Sequence, residues 1–212
     1  MSLLIEEGAT VLFQGDSITD AGRVREEGGD LGRGYAMIAA SRLMSLYPER
    51  KIRCLNRGIS GNTAAQMAAR WKPDALDLAP DWVSVLIGIN DAWRWVGGEG
   101  EDVDTATYAR IYRETLTGTR EKLGCRFVIC EPFLLPADAD GFDTARSDLD
   151  GKISVCRELA RDFDAVYVPF DGLFAAECCR EKPAWWAPDG VHPTPPGHAM
   201  MAEAWLSAVG AV

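Results

Sequence analysis

Three residues of this sequence have the types and spacing of a nucleophilic catalytic site. Ser17 lies in the segment Gly15-Asp16-Ser17-Ile18 near the N-terminus. A serine hydroxyl is too weakly acidic to attack an acyl carbon unaided, and histidine has a suitable pKa to act as its general base. His192 follows Asp189 by three residues in a loop rich in proline and glycine. One turn lets the Asp189 carboxylate accept the Nδ1–H of His192, which leaves Nε2 to face Ser17.

A nucleophile of this kind also needs hydrogen-bond donors for the negative charge that develops on the substrate oxygen. The sequence offers three: the backbone N–H of Ser17, the backbone N–H of Gly58 and the side-chain amide of Asn90. Gly58 is favoured because a residue without Cβ lets the backbone approach a substrate closely. Loss of one such donor typically costs about 10²–10³ in rate, or roughly 3–4 kcal/mol.

The elements that must position these residues alternate between strands and helices. Apolar runs predict strands over residues 10–14, 51–55, 82–87, 126–130 and 165–168. Helical spacing of apolar residues predicts helices over residues 35–47, 63–71, 105–123, 144–163 and 196–209. This alternation, with strands that are apolar on both faces, predicts a three-layer α/β/α sandwich around a five-stranded parallel sheet, in one domain over residues 1–212. Ligands bind beyond the carboxyl ends of such strands, where Ser17, Gly58 and Asn90 fall.

Composition excludes several classes of partner. The 212 residues include 22 Lys and Arg against 32 Asp and Glu, a net charge of −10, which disfavours nucleic acid and anionic membranes. The first residues turn acidic without a basic and then apolar stretch, so we expect no signal peptide and a cytoplasmic protein. The six cysteines form no C-x-x-C pair, and we expect reduced, mostly buried thiols.

Four separated segments resemble, in order, the sequence blocks of the SGNH/GDSL hydrolase family of esterases. They are Gly15-Asp16-Ser17-Ile18, Asn56-x-Gly58, Gly88-x-Asn90-Asp91 and Asp189-x-x-His192-Pro193. The resemblance implies a flavodoxin-like SGNH fold, a Ser-His-Asp triad with an acyl-enzyme, and no metal or other cofactor. Within the family, the chain is similar to bacterial intracellular esterases that deacetylate xylan-derived sugars. This similarity implies that the protein forms a homo-oligomer and acts on a small-molecule or oligosaccharide ester.

Four tryptophans flank the predicted site, and their flat faces suit sugar rings. Core or interface packing is the equally weighted alternative. They are Trp93, Trp95, Trp185 and Trp186. The esterases that deacetylate xylan-derived sugars carry a tryptophan directly before the acid, where this chain has Pro188. The sequence therefore does not determine which residues form the pocket wall or which ester is the substrate. His198 and Asp91 are expected to be structural, and Asp16 and Asp20 to brace the serine segment.

Two other functions remain open at this point. A lysophospholipase or thioesterase would use the same triad on longer acyl chains, and a non-catalytic relative would bind carbohydrate without turnover. The general α/β-hydrolase fold is disfavoured because it requires G-x-S-x-G, whereas Thr19 occupies the last position here. That fold also places the acid and the histidine on separate loops.

Overall fold

A computed structural model describes residues 2–98, 103–136 and 141–212 of the chain. Its five strands form one parallel sheet in the order β2-β1-β3-β4-β5. The strands are β1 Thr10–Gly15, β2 Arg53–Asn56, β3 Trp82–Leu86, β4 Arg126–Cys130 and β5 Val166–Val168. This is the flavodoxin-like order, in which the strand order reverses next to β1 and opens a crevice at the carboxyl end of the sheet.

Ten α-helices lie within the described ranges. They are α1 Ser17–Asp20, α2 Tyr35–Leu46, α3 Ala64–Ala69, α4 Trp71–Asp74, α5 Ile89–Val96, α6 Thr105–Leu123, α7 Phe142–Asp162, α8 Phe170–Cys178, α9 Pro183–Trp186 and α10 Pro195–Ala208. Short 3₁₀ turns, Pro48–Arg50 and Leu76–Leu78, precede β2 and β3.

The sheet is buried on both faces because side chains alternate along each strand. In β1, Val11 and Phe13 enter one core, with α2, α8 and α10, and Leu12 enters the other, with α3, α4 and α6. Helix α7 contributes to both cores. The Phe13 and Trp205 rings, 5.1 Å apart, join β1 to α10 in the first core. The three layers confirm the fold class predicted from the continuous apolar strands.

The five predicted strands and all five predicted helical segments are present, with ends that agree within three residues. The one internal difference is that the segment predicted as a helix over residues 63–71 divides at Arg70, where the backbone leaves the helical conformation between α3 and α4. Helices α1, α5, α8 and α9 were not predicted. For α8 a signal existed: Phe170, Leu173 and Phe174 follow Pro169 with helical spacing.

Four cysteines are buried in the described structure, as expected: Cys54, Cys125, Cys130 and Cys156. None of the described helices combines the length and the apolar character needed to cross a lipid bilayer. One sheet with a core on each face runs through the described residues, and the assignment of residues 1–212 to one domain stays a prediction.

Candidate active site

Ser17, His192 and Asp189 form a continuous chain of hydrogen bonds. The Oγ of Ser17 lies 2.9 Å from Nε2 of His192. On the other side of the ring, Nδ1 of His192 lies 2.6 Å from Oδ2 of Asp189. The nucleophile and the histidine are 175 positions apart in the chain. The geometry therefore joins a candidate nucleophile, base and orienting carboxylate as the sequence predicted, and the site faces an open surface.

The end of β1 places Ser17 at the start of a helix. Gly15 has a φ of 154°, and a Cβ there would overlap the carbonyl oxygen of Leu86 in the neighbouring strand β3. Asp16 then caps α1 by accepting the N–H of Ile18 at 3.0 Å. Ser17 is thus the first helical residue, and its own N–H donates to no described residue. This N–H is therefore available to an oxyanion, and its role as an oxyanion donor stays a prediction.

Two buried carboxyl groups lie beneath this segment. Burial raises the pKa of Asp16 to about 7, against the hydrogen bond from Ile18, and the nearby Asp91 carboxylate adds to the rise. One Asp16 carboxylate oxygen has no partner among the described residues. Burial likewise raises the pKa of Asp91 to about 6. A partly neutral Asp16 limits the negative charge directly behind Ser17, where it would oppose an oxyanion.

A single turn fixes the acid and the base relative to each other. Asp189 Oδ1 accepts the backbone N–H groups of Val191 and His192 at 3.0 and 2.7 Å, while its Oδ2 meets the His192 ring. Burial works to raise the pKa of Asp189, but the hydrogen bonds from the side chain and backbone of His192 outweigh it, so this pKa lies below its ordinary value. Asp189 therefore stays ionised and can stabilise an imidazolium at His192.

Asn90 lies at the beginning of α5, directly after β3. Its Nδ2 donates to the carbonyl oxygen of Asn62 at 3.0 Å. An amide nitrogen has two hydrogens, so one remains for a substrate oxygen. The neighbouring Asp91 accepts the N–H of Ala64 at 3.1 and 3.2 Å, which supports its expected structural role. Together these bonds fix the start of α5 against residues 62–64.

Gly58 occupies a different place from the one predicted. Its N–H donates to Oδ1 of Asn56 at 2.8 Å, so this hydrogen is engaged inside the protein. The residue is buried, and a Cβ there would lie 2.5 Å from the backbone nitrogen of Asp20. The geometry disagrees with an oxyanion donor at Gly58, because its N–H is already engaged. A glycine is required at this position because α1 packs too closely for a side chain. The motif Asn56-x-Gly58 held a signal for this role, because asparagine side chains commonly accept the backbone N–H two residues later.

Gly61, three residues later, has the features that Gly58 lacks. It is exposed, has a φ of 81° and has open space where a Cβ would be. Its N–H donates to no described residue, and it adjoins Asn62, which Asn90 contacts. Sequence reasoning missed Gly61 because the turn holds two glycines and only the fold shows which N–H is engaged.

The four tryptophans divide into two pairs. Trp93 and Trp186 are partly buried and pack against the hydrophobic core, and the Trp186 indole donates to the carbonyl of Glu177 at 3.2 Å. Trp95 and Trp185 are 46% and 56% exposed. None of the four lines the cleft of about 560 Å³ that contains Ser17 and His192. A sugar-facing role is therefore retained only for the exposed pair, and it stays a prediction.

The brace expected at Asp20 is in place, and Glu131, for which no such role was predicted, holds the start of α8. Asp20 accepts the N–H and the hydroxyl of Ser60 at 2.9 and 2.8 Å, which ties α1 to the following turn. Glu131, at the end of β4, is buried and accepts the N–H groups of Asp171 and Gly172 at the start of α8. Within the described part of the chain, no group of three or more His, Cys, Asp or Glu side chains is arranged to hold a metal ion.

Residues 13–200, most of the chain, match the model of the GDSL-like lipase/acylhydrolase family. The chain belongs to this family. Its membership confirms the resemblance seen in the four sequence blocks, and it accounts for the fold. The GDSL-like family assignment, together with the relatives below, identifies the chain as a carboxylic ester hydrolase.

Individual relatives of this GDSL-like hydrolase agree with that assignment. An acetylxylan esterase of Geobacillus stearothermophilus is 35% identical, and the alignment covers 97% of this chain and 96% of the relative. The crystal structure of that esterase covers 98% of this chain and 97% of its own with a TM-score of 0.90. A thioesterase 1/protease 1/lysophospholipase L1 of Escherichia coli K12 is 27% identical over 85% of this chain and 79% of its own length.

Proposed function

We propose that this ester hydrolase is a serine esterase that removes acetyl groups from xylo-oligosaccharides or similar sugars. The observation that carries the proposal is the unbroken chain of contacts from Asp189 through His192 to the Ser17 oxygen. No rearrangement is needed before His192 can accept the serine proton. A non-catalytic relative that only binds carbohydrate is disfavoured, because binding alone does not require hydrogen bonds that link Asp189, His192 and Ser17.

The contacts support an acyl-enzyme mechanism. Ser17 Oγ attacks the ester carbonyl carbon while Nε2 of His192 takes its proton. The ionised Asp189 stabilises the resulting imidazolium. His192 then protonates the departing sugar oxygen, and the acetyl group remains on Ser17. Water, deprotonated by His192, attacks this acyl-enzyme, so acetate leaves and the serine regains its proton.

The oxyanion of both tetrahedral intermediates needs donors in fixed positions. We assign them to the Ser17 N–H, one hydrogen of the Asn90 amide and the N–H of Gly61 in place of that of Gly58. All three donors are free of other described partners, and Asn90 and Gly61 are held together by the bond from Asn90 to Asn62. Three donors of this kind contribute more than one can, since each is typically worth about 10²–10³ in rate.

The acetylated-sugar substrate is supported by the acetylxylan esterase that aligns with nearly the whole chain. The exposed rings of Trp95 and Trp185 are the two candidate faces for sugar stacking. The net charge of −10 favours an uncharged substrate over an anionic one. Assembly into a homo-oligomer and a cytoplasmic location stay predictions.

Longer acyl chains are the second candidate, and the similarity to the Escherichia coli thioesterase and lysophospholipase favours it. The two candidates differ in how activity depends on acyl length. A deacetylase is fastest on the two-carbon ester because a small acyl pocket excludes longer chains. A lysophospholipase or thioesterase gains rate from acetate to octanoate, because each buried CH₂ contributes about 0.8 kcal/mol.

One assay tests both the mechanism and the substrate. Hydrolysis of aryl esters from acetate to octanoate and of acetylated xylose is measured for the wild type, Ser17→Ala and Ser154→Ala, a surface serine on α7. We expect Ser17→Ala to lose about 10⁴-fold or more in kcat and Ser154→Ala to match the wild type. Acetate should be the best acyl group.

Three results would contradict the proposal. Wild-type turnover in Ser17→Ala rules out the serine mechanism. Activity that rises with acyl length favours the thioesterase and lysophospholipase candidate. Calorimetric binding of the sugar by the wild type, with no ester hydrolysed, favours the non-catalytic relative.

A further inference from the structure

A second histidine shares the cleft with the triad. His198, near the start of α10, lines the same volume of about 560 Å³ as Ser17 and His192. It is partly buried and takes no part in the hydrogen-bond chain to Ser17. The two histidines are the only ones in the chain, and both face one cleft.

The protonation state of His198 follows from one hydrogen bond. The backbone N–H of Tyr35 donates to Nδ1 of His198 at 3.1 Å. A backbone N–H can only donate, so Nδ1 must carry a lone pair and the hydrogen of the neutral ring must be on Nε2. Nε2 has no hydrogen-bond partner among the described residues. His198 is therefore fixed as a neutral ring with a free Nε2–H donor.

The position of the ring is fixed as well. A Cβ on Gly34 would lie 2.8 Å from Cε1 and 3.1 Å from Nδ1 of His198, so the absence of a side chain at the start of α2 makes room for the ring. Ring orientation and tautomer are thus both set by the residues that begin α2. A donor fixed in this way binds an acceptor with little further loss of conformational entropy.

The charge of His198 is held at zero by its surroundings. Burial, together with the smaller effect of the positive charge that His192 can carry, lowers the pKa of His198 to about 4. A protonated His198 would repel the imidazolium that forms at His192 during catalysis. The neutral ring avoids this repulsion and keeps one N–H that no described residue accepts.

We propose that His198 is a substrate-binding residue whose Nε2–H donates a hydrogen bond to an uncharged oxygen, a hydroxyl or ring oxygen, of the sugar that carries the acetyl group. The inference rests on the proposed function and extends it to a specificity-determining residue outside the triad. The exposed Arg33, also in the cleft, adds a second group that only donates. Two side chains that donate hydrogen bonds suit the many oxygen acceptors on the surface of a sugar.

Two variants separate this role from a structural one. His198→Asn keeps an acceptor near the Nδ1 position for the Tyr35 N–H but has no donor at the Nε2 position. His198→Gln is its counterpart, because its amide reaches the Nε2 position but leaves the Tyr35 N–H without its acceptor. A structural role makes the Gln variant the worse of the two, whereas a binding role makes the Asn variant worse.

The readout is the ratio of kcat/KM for acetylated xylose to kcat/KM for an aryl acetate. We expect this ratio to fall about 5- to 10-fold in His198→Asn, the value of one neutral hydrogen bond, and to stay within about twofold of wild type in His198→Gln. A ratio that is unchanged in the Asn variant, or lower in the Gln variant than in the Asn variant, overturns the proposal.

A second measurement does not depend on how well these variants fold. Ser17→Ala labelled with ¹⁵N-histidine gives two imidazole spin systems, of which His198 should show hydrogen on Nε2. Addition of acetylated xylose should shift the His198 Nε2 resonance in a saturable way, and an unmoved resonance contradicts the proposal. If Ser17→Ala still hydrolyses esters, the proposed mechanism fails, yet the shift still reports whether His198 binds the sugar.

Discussion

Asp189 can hold both the backbone and the ring of His192 because only three positions separate the two residues. Its two oxygens hold the backbone of Val191, the backbone of His192 and the ring of His192 at once. The ring therefore has one orientation and one tautomer before any substrate arrives. Ser17 on the other side of the ring needs only to be brought into range, which the fold does at 2.9 Å.

Asp189→Asn tests this arrangement at the scale of a single residue. The amide would donate to Nδ1 of His192 and so favour the tautomer that has hydrogen on Nε2, facing Ser17. We expect kcat on an aryl acetate to fall by about 10⁴, the loss typical of this change in serine hydrolases. The matched control is Asp77→Asn, an exposed aspartate paired with Lys72. A loss of less than tenfold would show that Asp189 does not orient the base.

At the scale of a structural element, two glycines in the turn between β2 and α3 have different roles. Gly58 packs against the backbone of α1, whereas Gly61 has a left-handed φ and an N–H that donates to no described residue. The bond from Asn90 to Asn62 and that from Asp91 to Ala64 then attach this turn to α5. Two loops that follow different strands thereby become one rigid unit.

Alanine substitutions separate the two glycines by stability. Gly58→Ala forces a Cβ to within 2.5 Å of the Asp20 backbone nitrogen, and we expect it to lower the free energy of unfolding by about 3 kcal/mol. Gly61→Ala meets no atom and should cost only the left-handed conformation, about 1–2 kcal/mol. Urea denaturation measures both.

Gly118→Ala, in the middle of α6 with open space around it, is the control for these two changes. It should stabilise the protein by up to about 1 kcal/mol, because alanine is the better helix former. Equal losses in Gly58→Ala and Gly61→Ala would contradict the assignment of a packing role to Gly58.

At the scale of the whole molecule, the two ends of the chain close the first core. The N–H of Leu4 donates to the carbonyl of Val209 at 3.0 Å, and the Tyr47 hydroxyl donates to the carbonyl of Ala211 at 3.0 Å. Val209 and Ala211 are buried. The segment after α10 therefore holds α10 against α2, and α10 carries His198 into the cleft.

Removal of residues 209–212 should lower the free energy of unfolding by about 3–5 kcal/mol. Exposure of one valine-sized side chain costs about 1.5–3 kcal/mol, and each lost hydrogen bond about 1 kcal/mol. Removal of Val212 alone, a half-exposed residue, is the control and should have little effect. Thermal and urea unfolding provide the measurement, and equal stability of the two deletions would exclude this role for the C-terminal segment.

Local patterns were sufficient for most of the elements. The strands are continuous apolar runs because both of their faces are buried, and this pattern is visible in the sequence without a fold. Helix α5 was not predicted, although Ile89, Ala92 and Val96 recur with helical spacing. The break at Arg70 between α3 and α4 had a signal in Pro73, which cannot donate to the carbonyl of Ala69 four residues earlier.

The sequence by itself indicated the parallel sheet and the pairing of Asp189 with His192, because the apolar pattern of buried strands and the three-residue spacing of acid and base are both visible in short segments of the chain. Only the tertiary structure decided which N–H of the Gly58–Gly61 turn is engaged and which tautomer His198 adopts. The Asn56 side chain that accepts the Gly58 N–H is itself held by the carbonyl oxygens of Thr19 and Leu31, and the partner of His198 is Tyr35, 163 positions away. No local pattern records such a bond, since its energy exists only once the separate segments have folded against one another.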